Sequence, residues 1–402
     1  MKNSAPGRAV PRICLLTETF YPVVGGGETH ARLLARHLNS MGMTTFVLTR
    51  CSSAGLLPCE MLDGTQVCRL PPSGVKRFGK YMMLPFVSSF LSRNRLVYDM
   101  ILVCGFRVLG QPAVTMARRL GKSCVLRAEA QGEMSGGYAS AYRKLPPIVG
   151  TGFRKWIDRR NRILRRADAF IAISEPVAQE FEACGAGPIY RIRNGIDTDV
   201  FKPADSRSLR RKLGLPMEGM IAVYSGKLNQ GKGLTDLLAA WEKVCAERNG
   251  LLLVLVGSGG GQSLSCEDEL KDIVRERRLP VTFTGYVENV HEYLQAADMF
   301  ILPSLNEALP MSVLEAMSSG LQVVATRVGG IPEVISDMEN GILIDPGNPE
   351  QLADVILQAA DRSLPKELAN NARRTICERY SITAVAERYY ELLCRVHSGR
   401  IS

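Results

Sequence analysis

Two glutamates, Glu307 and Glu315, stand eight positions apart in the stretch PSLNEALPMSVLEAMSSG, around a short apolar run. The preceding ADMFILP reads as a buried strand ending at Pro303; Pro310 suits the first turn of a helix, and Gly320 its end. Glu307 then falls in a loop beside a helix N-terminus, and Glu315 inside the helix. Backbone N–H groups left free at such a terminus bind anions, phosphates above all. A capped amphipathic helix without a ligand explains the same letters. SGKLNQGKG, after the strand-like MIAVY, sets Lys227 and Lys232 in another loop at a strand's carboxyl end. Two ammonium groups there suit a diphosphate, although loop lysines are more often only solvated.

Glycine clusters add two further candidates. Gly25, Gly26 and Gly27 precede a helix, where bare backbone either approaches a phosphate or makes a tight turn. VGSGGGQ begins a GxGxxG with Gly257 and Gly259, but Gln262 holds the sixth position, so the dinucleotide fingerprint is not met. Asp197 and Asp199 in DTD have the form of a metal-binding pair. Their place in a Gly- and Pro-bounded join favours turn chemistry, and no metal is expected.

The elements that must position these residues alternate. RICLLT, TTFVLT, DMILVC, SCVLRA and DAFIAIS are strand-like in the first half, and MIAVYSG, LLLVLVG, VTFTG, DMFILP, LQVVAT and GILID in the second. Helical stretches lie between them. Such alternation implies α/β architecture with parallel sheets covered on both faces. At 402 residues, two domains are the default. Asn, Gly, Asp and Pro cluster in RNGIDTDVFKP, which sets the boundary near Pro203: an N-terminal domain over 1–203 and a C-terminal one over 204–381. In such sheets ligands bind beyond the strands' carboxyl ends.

Bulk properties exclude several classes. No apolar run approaches the ~18–20 residues of a membrane span, and the N-terminal apolar stretch is too short for a signal peptide. Eleven cysteines without a CxxC, and four histidines without ligand spacing, argue against a disulfide framework and a zinc site. A cytoplasmic setting follows. Residues 1–203 carry 29 Lys/Arg against 14 Asp/Glu, while the remainder carries 21 against 26. The basic half therefore faces an anionic surface or substrate. Its densest segment, GFRKWIDRRNRILRR, reads as an amphipathic helix bearing Arg154, Lys155, Arg159, Arg160, Arg162, Arg165 and Arg166. Sparse aromatics and the lack of a recognised motif argue against nucleic acid. A solvated helix face remains the simple alternative.

Five segments in order, PVVGGGETH, NGIDTDVFKP, SGKLNQGKG, GYVENVHEYLQAADMFILPSLNEALPMSVLEAMSSG and VVATRVGGIPEVI, together resemble the retaining GT-B glycosyltransferases of family 4. The resemblance covers nearly the whole chain, and Glu307 and Glu315 match the family's E-x7-E motif. It implies two Rossmann-like domains facing across a cleft, with a nucleoside-diphosphate sugar on the C-terminal domain and a glycan or lipid-linked acceptor on the N-terminal one. A last helix, about 382–402, would pack back on the N-terminal domain. By the same resemblance, backbone at Gly25 and Gly26 approaches the donor phosphate or the transferred sugar. Lys227 and Lys232 neutralise the leaving diphosphate, and Glu307 holds sugar hydroxyls near the reacting carbon. Amides from Ala308, Leu309, Pro310 and Met311 meet phosphate and sugar, and Glu315 binds the ribose. No cofactor or metal is implied. Two departures stand out: Lys227 replaces the usual Arg, and no His follows SCVLRA, which leaves Glu129 or Glu133 on the acceptor side. A nucleotide-sugar epimerase and a catalytically silent nucleotide-sugar scaffold are the alternatives. An acceptor on a lipid carrier would bring the basic half to the anionic inner face of the membrane as a peripheral protein.

Overall fold

The computed structural model describes residues 10–74, 78–137, 147–260, 264–365 and 367–399. They form two compact units, one of Met1–Gly195 with Ile382–Ser402 and one of Ile196–Ser381.

The first unit is built on eight strands: β1 Ile13–Thr17, β2 Thr45–Arg50, β3 Cys59–Leu62, β4 Thr65–Leu70, β5 Met100–Cys104, β6 Ser123–Arg127, β7 Ala169–Ala172 and β8 Ile189–Arg191. Its sheet runs β3-β4-β2-β1-β5-β6-β7-β8. Neighbours are parallel except in the edge hairpin β3–β4, which the alternating pattern does not anticipate. Asp63 and Gly64 turn that hairpin with φ of 49° and 73°, the left-handed pair that a two-residue turn between twisted strands requires. The helices are α1 Gly26–Ser40, α2 Gly79–Met82, α3 Leu84–Arg93, α4 Phe106–Leu120, α5 Pro147–Leu164 and α6 Glu175–Ala183. Leu34, Ala35 and Leu38 of α1 are buried on the sheet at helical spacing.

The second unit carries β9 Met220–Ser225, β10 Leu251–Val256, β11 Val281–Gly285, β12 Met299–Leu302, β13 Gln322–Thr326 and β14 Ile342–Ile344, in the order β11-β10-β9-β12-β13-β14, all parallel. All six match strand-like runs of the sequence. Its helices are α7 Ser206–Leu213, α8 Leu234–Glu247, α9 Glu267–Arg277, α10 Val290–Ala296, α11 Met311–Ser318, α12 Pro349–Ala360 and α13 Glu367–Arg379. The strands β10 and β12 are wholly apolar, and β9 is so up to its terminal Ser225, which a sheet sandwiched between helix layers demands.

The chain then returns. The last helix, α14 Ile382–His397, belongs to the first unit and buries Tyr389, Leu392 and Leu393 in that unit's core with Leu34 and Leu38. The units divide between Gly195 and Ile196, earlier than the Pro203 that turn residues suggest. Residues 196–203 are tied into the second unit by hydrogen bonds. Ile196 N–H donates to Tyr380 O, and the Arg373 guanidinium donates to Phe201 O and Thr198 O.

Candidate active site

Strand order reverses between β9 and β12, so the loops leaving these two strands diverge and open a crevice at their carboxyl ends. Those loops are 226–233 and 303–310, the ones that carry Lys227, Lys232 and Glu307. Lys232 Nζ lies 2.5 Å from Glu307 Oε1, with 22% and 11% of the side chains exposed. Ser304 Oγ donates to the same carboxylate oxygen at 2.8 Å, and Thr326 Oγ1 donates to Ser304 O. Glu307 is thus held by groups from two strand ends. Lys227 is exposed, while its carbonyl accepts the hydroxyl of buried Tyr224 at 2.8 Å.

Glycines allow this crowding. A Cβ on Gly233 (φ 63°) would come within 2.0 Å of Pro303 O, and one on Gly329 (φ 55°) within 1.8 Å of Glu307 O. Gly330 N–H donates to Ala308 O at 2.7 Å. Sequence reasoning gave Gly329 and Gly330 no role of their own; a doubled glycine just past a strand was the signal. Gly257 and Gly259 serve the same end. Their Cβ positions would meet Gly226 O at 2.0 Å and Leu228 O at 2.6 Å, so the second glycine cluster is spent on seating the lysine loop. Gln262 lies outside the described residues.

Pro310, in extended conformation, caps α11, and Met311 opens the helix. Pro310 has no N–H and cannot donate to a ligand, which corrects its place among the expected amides. Ala308, Leu309 and Met311 keep theirs. Glu315 sits one turn into α11, half-buried at its surface. Burial pushes its pKa up to about 7.

In the first unit the order reverses between β1 and β5. Gly25 is the N-cap of α1, and Gly26 is its exposed first residue. The Glu129 carboxylate packs on this backbone: a Cβ on Gly27 would lie 2.6 Å from Oε2, and one on Gly105 (φ 73°) 3.0 Å away. Burial raises the Glu129 pKa, Arg127 at 3.4 Å opposes it, and Glu28 and Glu18 add to it. Glu133 differs. Fully buried, it accepts backbone N–H from Glu129, Ala130 and Arg107 at 2.8, 3.1 and 3.2 Å, and burial pushes it up to about 7. It brackets the turn that presents Glu129.

Along α5, Arg154, Lys155, Arg159 and Arg162 are exposed, as are Arg165 and Arg166 just beyond its end. Arg160 is not part of that face. It is buried, donates to Glu133 O and Met134 O at 2.8 Å each, and lies over Trp156. Asp197 accepts N–H from Asp199 and Val200, so DTD makes a turn. Among the described residues no cluster of three His, Cys, Asp or Glu has metal-holding geometry, and no helix is long and apolar enough to cross a membrane.

The family described as Glycosyltransferase Family 4 matches residues 24–200, and Glycosyl transferases group 1 matches residues 205–375. The chain belongs to the GT-B glycosyltransferases of this family 4 and group 1 type. Among its relatives, the alpha-maltose-1-phosphate synthase of Mycolicibacterium smegmatis is 29% identical over 62% of this chain and 68% of its own length. The N-acetyl-alpha-D-glucosaminyl L-malate synthase of Bacillus anthracis is 30% identical over 53% of this chain and 56% of its own. The latter match thus spans little more than half of that relative. The fold of this glycosyltransferase is that of Thermosynechococcus elongatus sucrose-phosphate synthase, at a TM-score of 0.82, 22% identity and coverage of 96% and 100% of the two chains. Anabaena HepE, solved with UDP-glucose, gives 0.77 at 20% identity, over 95% and 99%.

Proposed function

We propose that this glycosyltransferase moves a hexose from a nucleoside-diphosphate sugar to a hydroxyl acceptor with retention of anomeric configuration, in polysaccharide or glycolipid synthesis. The observation that carries the reading is the Lys232–Glu307 pair beside the α11 N-terminus, at the switch point of the second sheet. Lys227, Lys232 and the free N–H groups at α11 stabilise charge growing on the departing diphosphate, with no metal required. When a donor binds, Lys232 exchanges part of its bond to Glu307 for phosphate, and Glu307 turns its acceptor capacity to sugar hydroxyls. Glu315 takes the ribose hydroxyls. That HepE was solved with UDP-glucose supports this donor class. The chain offers no secure covalent nucleophile, so attack proceeds from the front face, assisted by the leaving phosphate.

The first unit takes the acceptor. The Glu129 carboxylate packed at the α1 N-terminus accepts hydroxyls, so together with Gly25 and Gly26 it meets the sugar hydroxyls of the acceptor side. The exposed face of α5 attaches the enzyme peripherally to anionic lipid.

Incubation with radiolabelled nucleotide sugars, with and without acceptor extracts, tests the reading, because transfer, isomerisation and mere retention give different products. Lys227→Ala or Lys232→Ala should each lose turnover by ~10²-fold or more. Glu307→Gln should depress turnover while sparing affinity for the bare diphosphate. Activity that a chelator abolishes and Mg²⁺ or Mn²⁺ restores would overturn the metal-free mechanism.

A further inference from the structure

In the first unit a groove of about 340 Å³ runs along α4, between α2–α3 on one side and α5 on the other. Leu84, Val108, Pro112 and Met116 give it an apolar floor, and Tyr81 and Trp156 wall it. Arg107 and Arg119 stand at its two ends, ~18 Å apart at a helical rise of ~1.5 Å per residue. Charge gathers at the Arg107 end. Lys80 Nζ lies 4.0 Å from Glu18, and its pKa is lowered by burial first, with Glu18 opposing and the like charges of Arg107 and Arg50 adding to the drop. Arg50 packs on the bare backbone of Gly79, where a Cβ would come within 2.6 Å of its guanidinium. This end also adjoins the turn of Glu129, because Glu133 bonds the N–H groups of both Arg107 and Glu129.

A long apolar floor with cations at its mouths fits an amphiphile. A peptide or nucleic-acid backbone laid there would leave its polar groups unpaired along the floor. We infer that the groove takes the hydrocarbon chain of an anionic membrane lipid, the sugar acceptor, whose phosphate sits on Arg107 and Lys80. The role as acceptor rests on the glycosyltransferase reading above; the binding of the lipid does not.

Trp156 reports the groove directly. The chain has two tryptophans, and the other, Trp241, is buried in the core of the second unit. Titration of the full chain with dodecyl phosphate, below its micelle-forming concentration, should give a saturable blue shift of Trp156 emission. Dodecanol should bind at least tenfold more weakly, and inorganic phosphate should give no shift. Arg107→Ser should raise the dodecyl phosphate Kd tenfold or more, and Thr115→Phe should fill the groove and abolish the shift. Exposed Tyr81→Ser, which leaves the core intact, should weaken binding severalfold. No saturable shift, an equal shift with inorganic phosphate, or indifference to both Arg107→Ser and Thr115→Phe overturns the site. Calorimetry with nucleoside diphosphates on the same samples reads the underlying activity separately. Donor binding without a dodecyl phosphate shift defeats the groove alone, and a shift without donor binding defeats the acceptor role.

Discussion

A carboxylate paired with a lysine and one shifted by burial answer differently to pH and to ligand, and the second unit holds one of each. Glu307 has Lys232; half-buried Glu315 is pushed up to about 7 by burial alone. Glu315→Ala should weaken nucleoside-diphosphate binding by roughly 1.5–3 kcal/mol, the scale of a hydrogen bond to a charged group. A ribose hydroxyl donates best to the ionised form, so affinity should rise as pH climbs through about 7, and Glu315→Gln should flatten that rise in calorimetry. Wild-type affinity in a folded Glu315→Ala variant would refute the ribose role. Glu133 carries the companion prediction in the first unit. Its folded pKa is raised above its unfolded value, so the native state holds more protons between about pH 4.5 and 7. The stability it contributes is fully present below that window and is lost as pH rises through it, on the order of 3 kcal/mol. Denaturant unfolding across the window should show this slope in wild type and lose it in Glu133→Gln.

At the level of elements, the placement of loops depends on missing side chains. Gly329→Ala would need a left-handed backbone, costing about 1–2 kcal/mol, and would drive Cβ into the Glu307 carbonyl. Turnover should fall far more than thermal stability, with the Glu307 loop displaced; an unchanged kcat would show that the close approach is incidental. Helix α5 divides by burial. Ser at Arg154, Lys155, Arg159 and Arg162 should weaken salt-sensitive binding to anionic vesicles, each nearby charge contributing about 1 kcal/mol. Arg160→Ser should instead destabilise the first unit, since its guanidinium holds two backbone carbonyls. Failure of wild type to bind such vesicles at low salt would reduce this face to solvated charge. The charges of α5 were legible in the sequence, but which arginine faces inward was not. Period alone cannot tell which face meets Glu133 O and Met134 O. All six strands of the second sheet were legible: five hold an unbroken apolar run, and the sixth, VTFTG, is β-branched and aromatic. The β3–β4 hairpin escaped because CEML and TQVCRL lack such runs, although Asp63-Gly64 was a turn signal in plain view. Glu307 and Lys232 were legible as loop residues; their 2.5 Å pairing was not, since it depends on strand order.

On the scale of the molecule, the chain enters the first unit twice, because the second unit is inserted between Gly195 and Ile382. A chain ending at Ser381 should keep a cooperative transition for the second unit. The first unit should lose protection from hydrogen exchange, most of all in α1, whose inner face packs against α14. Full protection of α1 in that truncation would show that α14 is dispensable. The same insertion sets an order of events on the ribosome. The apolar face of α1 leaves the exit tunnel early, but its cover of Tyr389, Leu392 and Leu393 is made last. At ~5–20 residues per second, roughly 18–70 s separate the two. For that interval the nascent first unit is a client for chaperones, while the inserted unit has everything it needs to fold ahead of the one that began first.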